Sequence, residues 1–157
     1  MVRLLAEHLA QMRATSPEES VHALDVDALD RPSVRFWTAR EEHDASLLGV
    51  GALLIQPDRT GEIKSMRVAG DRRGRGVGTA VLTAIVADAA AAGLTALQLE
   101  TGTGAAFASA RRLYARHGFA ERGPFGAYRE DPHSAFFELR LPAGEAPAGA
   151  RLVIPET

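Results

Sequence analysis

Arg72-Arg73-Gly74-Arg75-Gly76-Val77-Gly78-Thr79 is the stretch on which the reading of this chain turns. It stands between a run with alternating side chains, residues 62–68, and an Ala-rich run, residues 77–92. In the second run Val77, Val81 and Ile85 form an apolar stripe that Leu82 and Val86 widen, which is the pattern of a helix packed on one side. A strand, a glycine-rich turn and a helix start therefore follow one another. Glycines let backbone N–H groups face outward together and let a ligand approach closely. The helix start adds unpaired N–H groups and about half a positive charge. The result is an anion site suited to phosphate, to which Arg72, Arg73 and Arg75 add full charges. A Walker turn requires a lysine that is absent here. A dinucleotide fingerprint finds Gly74 and Gly76 in its first two places but Thr79 in its third. A basic surface turn that caps a helix has the same composition, so the turn alone leaves both readings open.

The elements around the turn give a mixed α/β order. Residues 2–14 carry Val2, Leu5, Leu9 and Met12 at helical spacing, and a Ser16-Pro17 start predicts a second helix reaching to about residue 29. Residues 33–40 and 47–56 are strands rich in β-branched and aromatic residues, with a turn at 57–61 and a third strand at 62–68. After the Ala-rich helix, which Gly93 terminates, come a strand at 94–100, a helix at 105–117 and strands at 119–122 and 135–141. A long loop with Pro124, Gly126 and Pro132 joins the last two. The strand–helix–strand unit across 62–100 implies parallel pairing through a right-handed crossover. Residues 1–142 read as one domain, and the Pro/Gly/Ala-rich segment 143–157 as a tail.

Composition removes several classes of function. With 157 residues, 46 % of them hydrophobic, the chain is long enough for a real core. It has no cysteine, which excludes disulfides, thiolate-bound zinc and a thiol nucleophile and suits a reducing, cytoplasmic setting. The histidines at 8, 22, 43, 117 and 133 lack the paired spacings of metal ligands, so no metal is expected. A net charge of −2 argues against nucleic acid, despite Arg111 and Arg112 beside the Arg72–Arg75 group. No apolar run approaches the ~20 residues of a membrane span.

Two motifs resemble the GCN5-related N-acetyltransferase (GNAT) superfamily. Arg73, Gly76 and Gly78 match its Arg-x-x-Gly-x-Gly pyrophosphate-binding segment. Leu113-Tyr114-Ala115-Arg116-His117-Gly118-Phe119 matches its Leu-Tyr-x-x-x-Gly-Phe segment, one strand and one helix later. His8-Leu9, residues 62–67, Leu99-Glu100-Thr101-Gly102 and Pro124-Phe125-Gly126 with Tyr128 are similar to a bacterial branch often labelled indole-acetic-acid-associated acetyltransferases. The resemblance implies a mostly antiparallel sheet with a splayed parallel pair and flanking helices. It also shows two departures. The strand that usually precedes the first helix is missing or lies upstream, and Phe107 occupies the place of a common asparagine. Ser109 or residues 101–103 are the expected substitutes.

Acetyl-CoA is the co-substrate that the resemblance implies, with the acetyl group passing directly to the amine of a small or amino-acid-like acceptor. A non-catalytic acyl-CoA-binding or regulatory module is the alternative. Arg73, Gly74, Arg75, Gly76, Val77, Gly78 and Thr79 would hold the pyrophosphate. The backbone of Met66, Arg67 and Val68 would take the pantetheine arm as an added strand, one amide polarising the acetyl carbonyl. Tyr114 is the expected proton donor to sulfur, unless it is a core aromatic. Glu62 is either the general base or the salt-bridge partner of Lys64 on the same strand face. Glu100, at the carboxyl end of its strand, is a second candidate base, an acceptor-amine ligand or a turn cap. His22 is a candidate acceptor contact or a packed histidine. Phe125 and Tyr128 either wall the acceptor end or simply pack a long loop. A homodimer through the last strands is the family's common assembly.

Overall fold

The computed structural model describes residues 32–69 and 75–142. The expected helices before residue 32, together with His22, Arg72, Arg73, Gly74 and the tail, lie outside the described residues. Six strands form one sheet: β1 (Val34–Arg40), β2 (Leu47–Ile55), β3 (Thr60–Val68), β4 (Ala96–Gly102), β5 (Ala120–Arg122) and β6 (Ser134–Arg140). Helix α1 (Val77–Ala91) links β3 to β4, and a 3-10 turn (Ala105–Phe107) leads into α2 (Ala108–Arg116). The sheet order is β1-β2-β3-β4-β6-β5. Every neighbouring pair is antiparallel except β3 and β4, which run parallel as the crossover requires. Among the described residues no helix is long and apolar enough to cross a membrane.

Several boundaries differ from the sequence reading by one or two residues, and two of the differences have a clear local cause. The fourth strand begins at Ala96 rather than residue 94. Leu94 and Thr95 donate their backbone N–H groups to Ala89 and Arg59, so they close the end of α1 instead of joining the ladder. The helix read over 105–117 opens as the 3-10 turn because Gly104 is extended and Phe107 sits near φ −104°, ψ 3°.

Alternation along the strands gives the sheet two unlike faces. Leu53, Ile63, Leu97, Leu99 and Phe137 turn toward the helices and join Val81, Leu82, Ile85 and Tyr114 in one core. Each fully buried aliphatic side chain there contributes about 1.5–3 kcal/mol. Glu62, Lys64, Gln98, Glu100 and Glu138 alternate to the other face. Close approach of α1 depends on β2 lacking side chains beneath it. A Cβ on Gly51 would lie 2.8 Å from Val81 and 2.7 Å from the Met66 sulfur, and one on Gly49 2.8 Å from Val77.

The pairing register holds the feature that positions the site. On β3, Ser65 and Met66 stand opposite the single residue Gly51 of β2, a β-bulge. Ser65 adopts φ 57°, a left-handed conformation unusual outside glycine. Past this point β3 no longer follows β4. Their parallel pairing ends at Ile63 with Leu99, although β3 continues to Val68 and β4 to Gly102.

The end of β4 is tightly packed. A Cβ on Gly102 would fall 2.2 Å from the Phe107 ring, and Arg111 donates to the carbonyls of Gly102 (2.7 Å) and Gly104 (3.0 Å). Gly102→Ala is therefore expected to lower unfolding free energy by about 1–3 kcal/mol, the usual range for overpacking. Adding Phe107→Leu should restore part of that loss in urea unfolding. No loss in the single variant would refute the contact.

Candidate active site

The parted strands leave the β3 edge at Met66, Arg67 and Val68 without a β4 partner, and all three are half-buried. The chain then reaches the turn before α1, of which Arg75 to Thr79 are described. Gly76 is the N-cap at φ 79°, with no side-chain cap and no acidic residue in the first helical turn. The positive end of the helix thus carries no carboxylate of its own in that turn. Arg75 and Thr79 are exposed, whereas Val77 is buried as a core anchor. Gly78 faces Leu113 of α2, 3.2 Å from where its Cβ would be, so the two predicted motifs meet in space.

Tyr114 comes from α2 and belongs to the core, only 5 % exposed. Its ring packs edge-on to Phe119 at 5.7 Å and tilted against Phe137 at 6.2 Å. Burial, aided by the charge of Glu100, lifts its phenol well above the ordinary range. The ring is therefore packed as a core aromatic. Phe107, in place of the family's asparagine, is buried against Gly102.

On the opposite face, Glu62, Lys64, Phe125 and Tyr128 line one open cleft with Arg122, Arg129 and Asp131. Glu62 is buried. The Tyr128 hydroxyl donates to Glu62 in a short hydrogen bond and accepts from the Lys64 ammonium at 3.0 Å. Lys64 also pairs with Glu62 at 3.4 Å, the ion pair that strand alternation anticipated. Phe125, Tyr128 and Phe136 stack mutually edge-on, with centroids 5.0–5.8 Å apart. These aromatics both pack the loop and wall the cleft. The hydroxyl of Tyr128 is also driven up, first by burial and then by Glu62.

Glu100 sits on β4 just past the last paired residue. Burial raises its carboxyl to about 7, against the pull of the Ser134 hydroxyl and the Lys64 ammonium. Below it, Gln98 donates to Glu138 at 3.0 Å and Arg122 donates to the same oxygen at 2.8 Å. Lys64 was visible in the sequence only as a partner for Glu62. Its bond to a tyrosine in a distant loop had no local signal. Arg111 was read as part of a basic cluster, yet it fastens the end of β4. Among the described residues no group of His, Asp and Glu could hold a metal ion.

The Acetyltransferase (GNAT) family model matches residues 1–119. The chain belongs to the GNAT family. A similar relative is an uncharacterised N-acetyltransferase, YedL, of Escherichia coli, 46 % identical over 88 % of this chain and 86 % of the relative. Another is a protein of Azospirillum brasilense named IAA acetyltransferase, 42 % identical over 90 % of each chain. A solved structure from Klebsiella pneumoniae, provisionally named an acyl-CoA N-acyltransferase, superposes with a TM-score of 0.72 at 28 % identity, covering 89 % of this chain and 88 % of that one. This GNAT protein is an acetyltransferase.

The raised carboxyl of Glu100 has a measurable cost in stability. Its folded pKa lies above the ordinary 4.5, so the folded state binds the proton more tightly than the unfolded state. Below pH ~4.5 both states hold it and no cost exists. Between about 4.5 and 7 stability declines as pH rises, and above 7 the cost is complete, on the order of 3 kcal/mol. Glu100→Gln removes this dependence. The unfolding free energy of the variant, relative to the native chain, is expected to rise by a few kcal/mol between pH 4 and pH 8 in urea titrations. A constant difference would show that Glu100 is not raised.

Proposed function

We propose that this GNAT enzyme transfers the acetyl group of acetyl-CoA directly to the amine of a small, amino-acid-like acceptor. The observation that carries the reading is the parting of β3 from β4 beyond Ile63 and Leu99, next to the uncapped glycine start of α1. An extended pantetheine arm fits the open β3 edge at Met66, Arg67 and Val68 as an added strand. Its pyrophosphate would meet the N–H groups at Gly76, Val77, Gly78 and Thr79, with Arg73, Gly74 and Arg75 as the preceding part of the turn. A backbone amide of the open edge would polarise the acetyl carbonyl.

The acceptor arrives as an ammonium, and removing its proton at pH 7 costs about 4.6 kcal/mol when its pKa is near 10.4. A base works best when its pKa lies near the working pH. Glu100, at about 7, meets that condition. Glu62 is already tied to Lys64 and Tyr128, and its part is to position rather than to accept the proton. Once the ammonium has lost its proton to Glu100, the nitrogen attacks the thioester carbon and the C–S bond breaks. The sulfur leaves as thiolate, the nitrogen releases its second proton to water, and the acetyl group remains on the neutral amide nitrogen. Tyr114 donates a hydrogen bond to that sulfur. Its phenol lies above 10 and a thiol near 8.5, so full transfer would be uphill by at least about 2 kcal/mol. The tyrosine therefore stabilises the thiolate and keeps its proton.

Calorimetry with acetyl-CoA, free CoA and NADPH tests the co-substrate. Both CoA forms are expected to bind and NADPH is not; absence of CoA binding would defeat the reading. In a thiol-release assay over amines and amino acids, kcat/KM is expected to rise with pH through about 7 in the native enzyme and to lose this limb in Glu100→Gln. Tyr114→Phe should lower kcat by about 10²-fold with little change in acetyl-CoA affinity. Unchanged turnover at every pH would remove Tyr114 from the chemistry.

A further inference from the structure

Two carboxylates on one strand face raise a question of division of labour. Glu62 lies in the paired part of β3, opposite Gln98, and Glu100 one residue past the end of that pairing on β4; only one can be the proton acceptor without the other opposing its charge. Like charges in one site disfavour ionisation, while an opposite charge a few ångströms away restores it. The cation paired with Glu62 is Lys64. Its side chain is 12 % exposed, its ammonium lies 3.4 Å from Glu62 Oε1 and donates to the Tyr128 hydroxyl at 3.0 Å. It also lies 5.6 Å from the centre of the Tyr128 ring. Tyr128 in turn donates to Glu62. Three side chains thus close a ring of contacts between β3 and the loop after β5.

We propose that Lys64 is a positioning residue for acetyl transfer: it neutralises Glu62 and clamps the Tyr128 hydroxyl, which leaves Glu100 as the carboxylate that takes the acceptor's proton. The inference rests on the reading of Glu100 as base. The groups that act on Glu100 come from every element around it. Lys64 and Glu62 lie on β3, Tyr114 on α2, Ser134 on β6, and Tyr128 and Asp131 in the loop between β5 and β6. Lys64 is the cation in that set, and its attraction lowers the Glu100 carboxyl while Glu62 and Asp131 raise it. Without Lys64 the charge of Glu62 acts on Glu100 without this opposing cation. Glu100 would then hold its proton to higher pH, and the amine would find its base occupied at neutrality. The ring has a second consequence. It fixes Tyr128, and with it the aromatic wall of the cleft, to the strand that carries Glu62.

The test compares Lys64→Met, which keeps length but removes charge, with Lys64→Arg, which keeps charge. In Lys64→Met the midpoint of the kcat/KM limb is expected to move up by about one pH unit, the low end of the effect of a nearby opposite charge. At pH 7 that lowers kcat/KM about five-fold and leaves the high-pH plateau within about two-fold. Lys64→Arg should return the midpoint. Side-chain carboxyl 13C titration of Glu62 and Glu100 in the full-length protein reads the same shift without any activity. If Lys64→Met lowers thermal stability but moves neither the limb nor the carboxyl titrations, Lys64 is structural and the proposal fails. If Glu100→Gln keeps the pH limb, the base assignment fails instead. In that case the titration decides Lys64 alone, since unmoved carboxyls overturn its role and shifted carboxyls retain its control of their charge.

Discussion

The bulge at Ser65 is the constraint from which the rest of the site follows. An extra residue on β3, held at a left-handed φ, increases local twist and turns the strand away from its neighbour. The parallel ladder stops at Ile63 and Leu99, and both strands continue apart. Beyond that point the backbone groups of β3 and β4 no longer satisfy each other across a ladder. The same separation places Glu100 beyond the last paired residue. There burial lifts its carboxyl to about 7.

The sheet keeps two incompatible environments close together. On the helix side Tyr114 lies among Phe119, Phe137 and Leu99, where low dielectric strengthens any interaction its hydroxyl makes. On the other side Glu62, Lys64 and Tyr128 exchange charge and hydrogen bonds at short range. The glycines of β2 contribute by letting α1 settle directly on the sheet. This brings the start of α1 to the end of the open edge.

Much of this was legible in the residues themselves. The turn ending in Gly76-Val77-Gly78, the apolar stripe of α1 and the alternation of residues 62–68 were sufficient for a parallel unit around an anion site. Leu113-Tyr114 with Gly118-Phe119 indicated a helix packed close to that turn, and Gly78 does face Leu113. The pairing of Glu62 with Lys64 followed from strand alternation alone. What was not legible depended on distant partners or on backbone angles. No glycine marks position 65, so nothing in the sequence announced a left-handed residue. Tyr128 and Glu62 are separated by 66 positions, and loop residues carry no periodicity from which a contact could be read. Gly49 and Gly51 are clearances for a helix, a role that depends on a partner distant in sequence. The raised carboxyl of Glu100 reflects its surroundings rather than its neighbours in sequence.

The loop between β5 and β6 is anchored to the strand face at Tyr128 and by the packing of Phe125 on Phe136. Exposed positions such as Gly126, Ala127, Arg129 and Glu130 hang between these anchors, on the cleft side. Such a loop separates the problem of acceptor choice from that of folding. Its exposed residues can be exchanged or its length altered at small cost to the core, while the aromatic anchors return the loop to the same place. In an engineering or evolutionary sense the cleft has a replaceable lip on a fixed strand face. The lining of the cleft can then change by substitution in the loop without disturbing the strands.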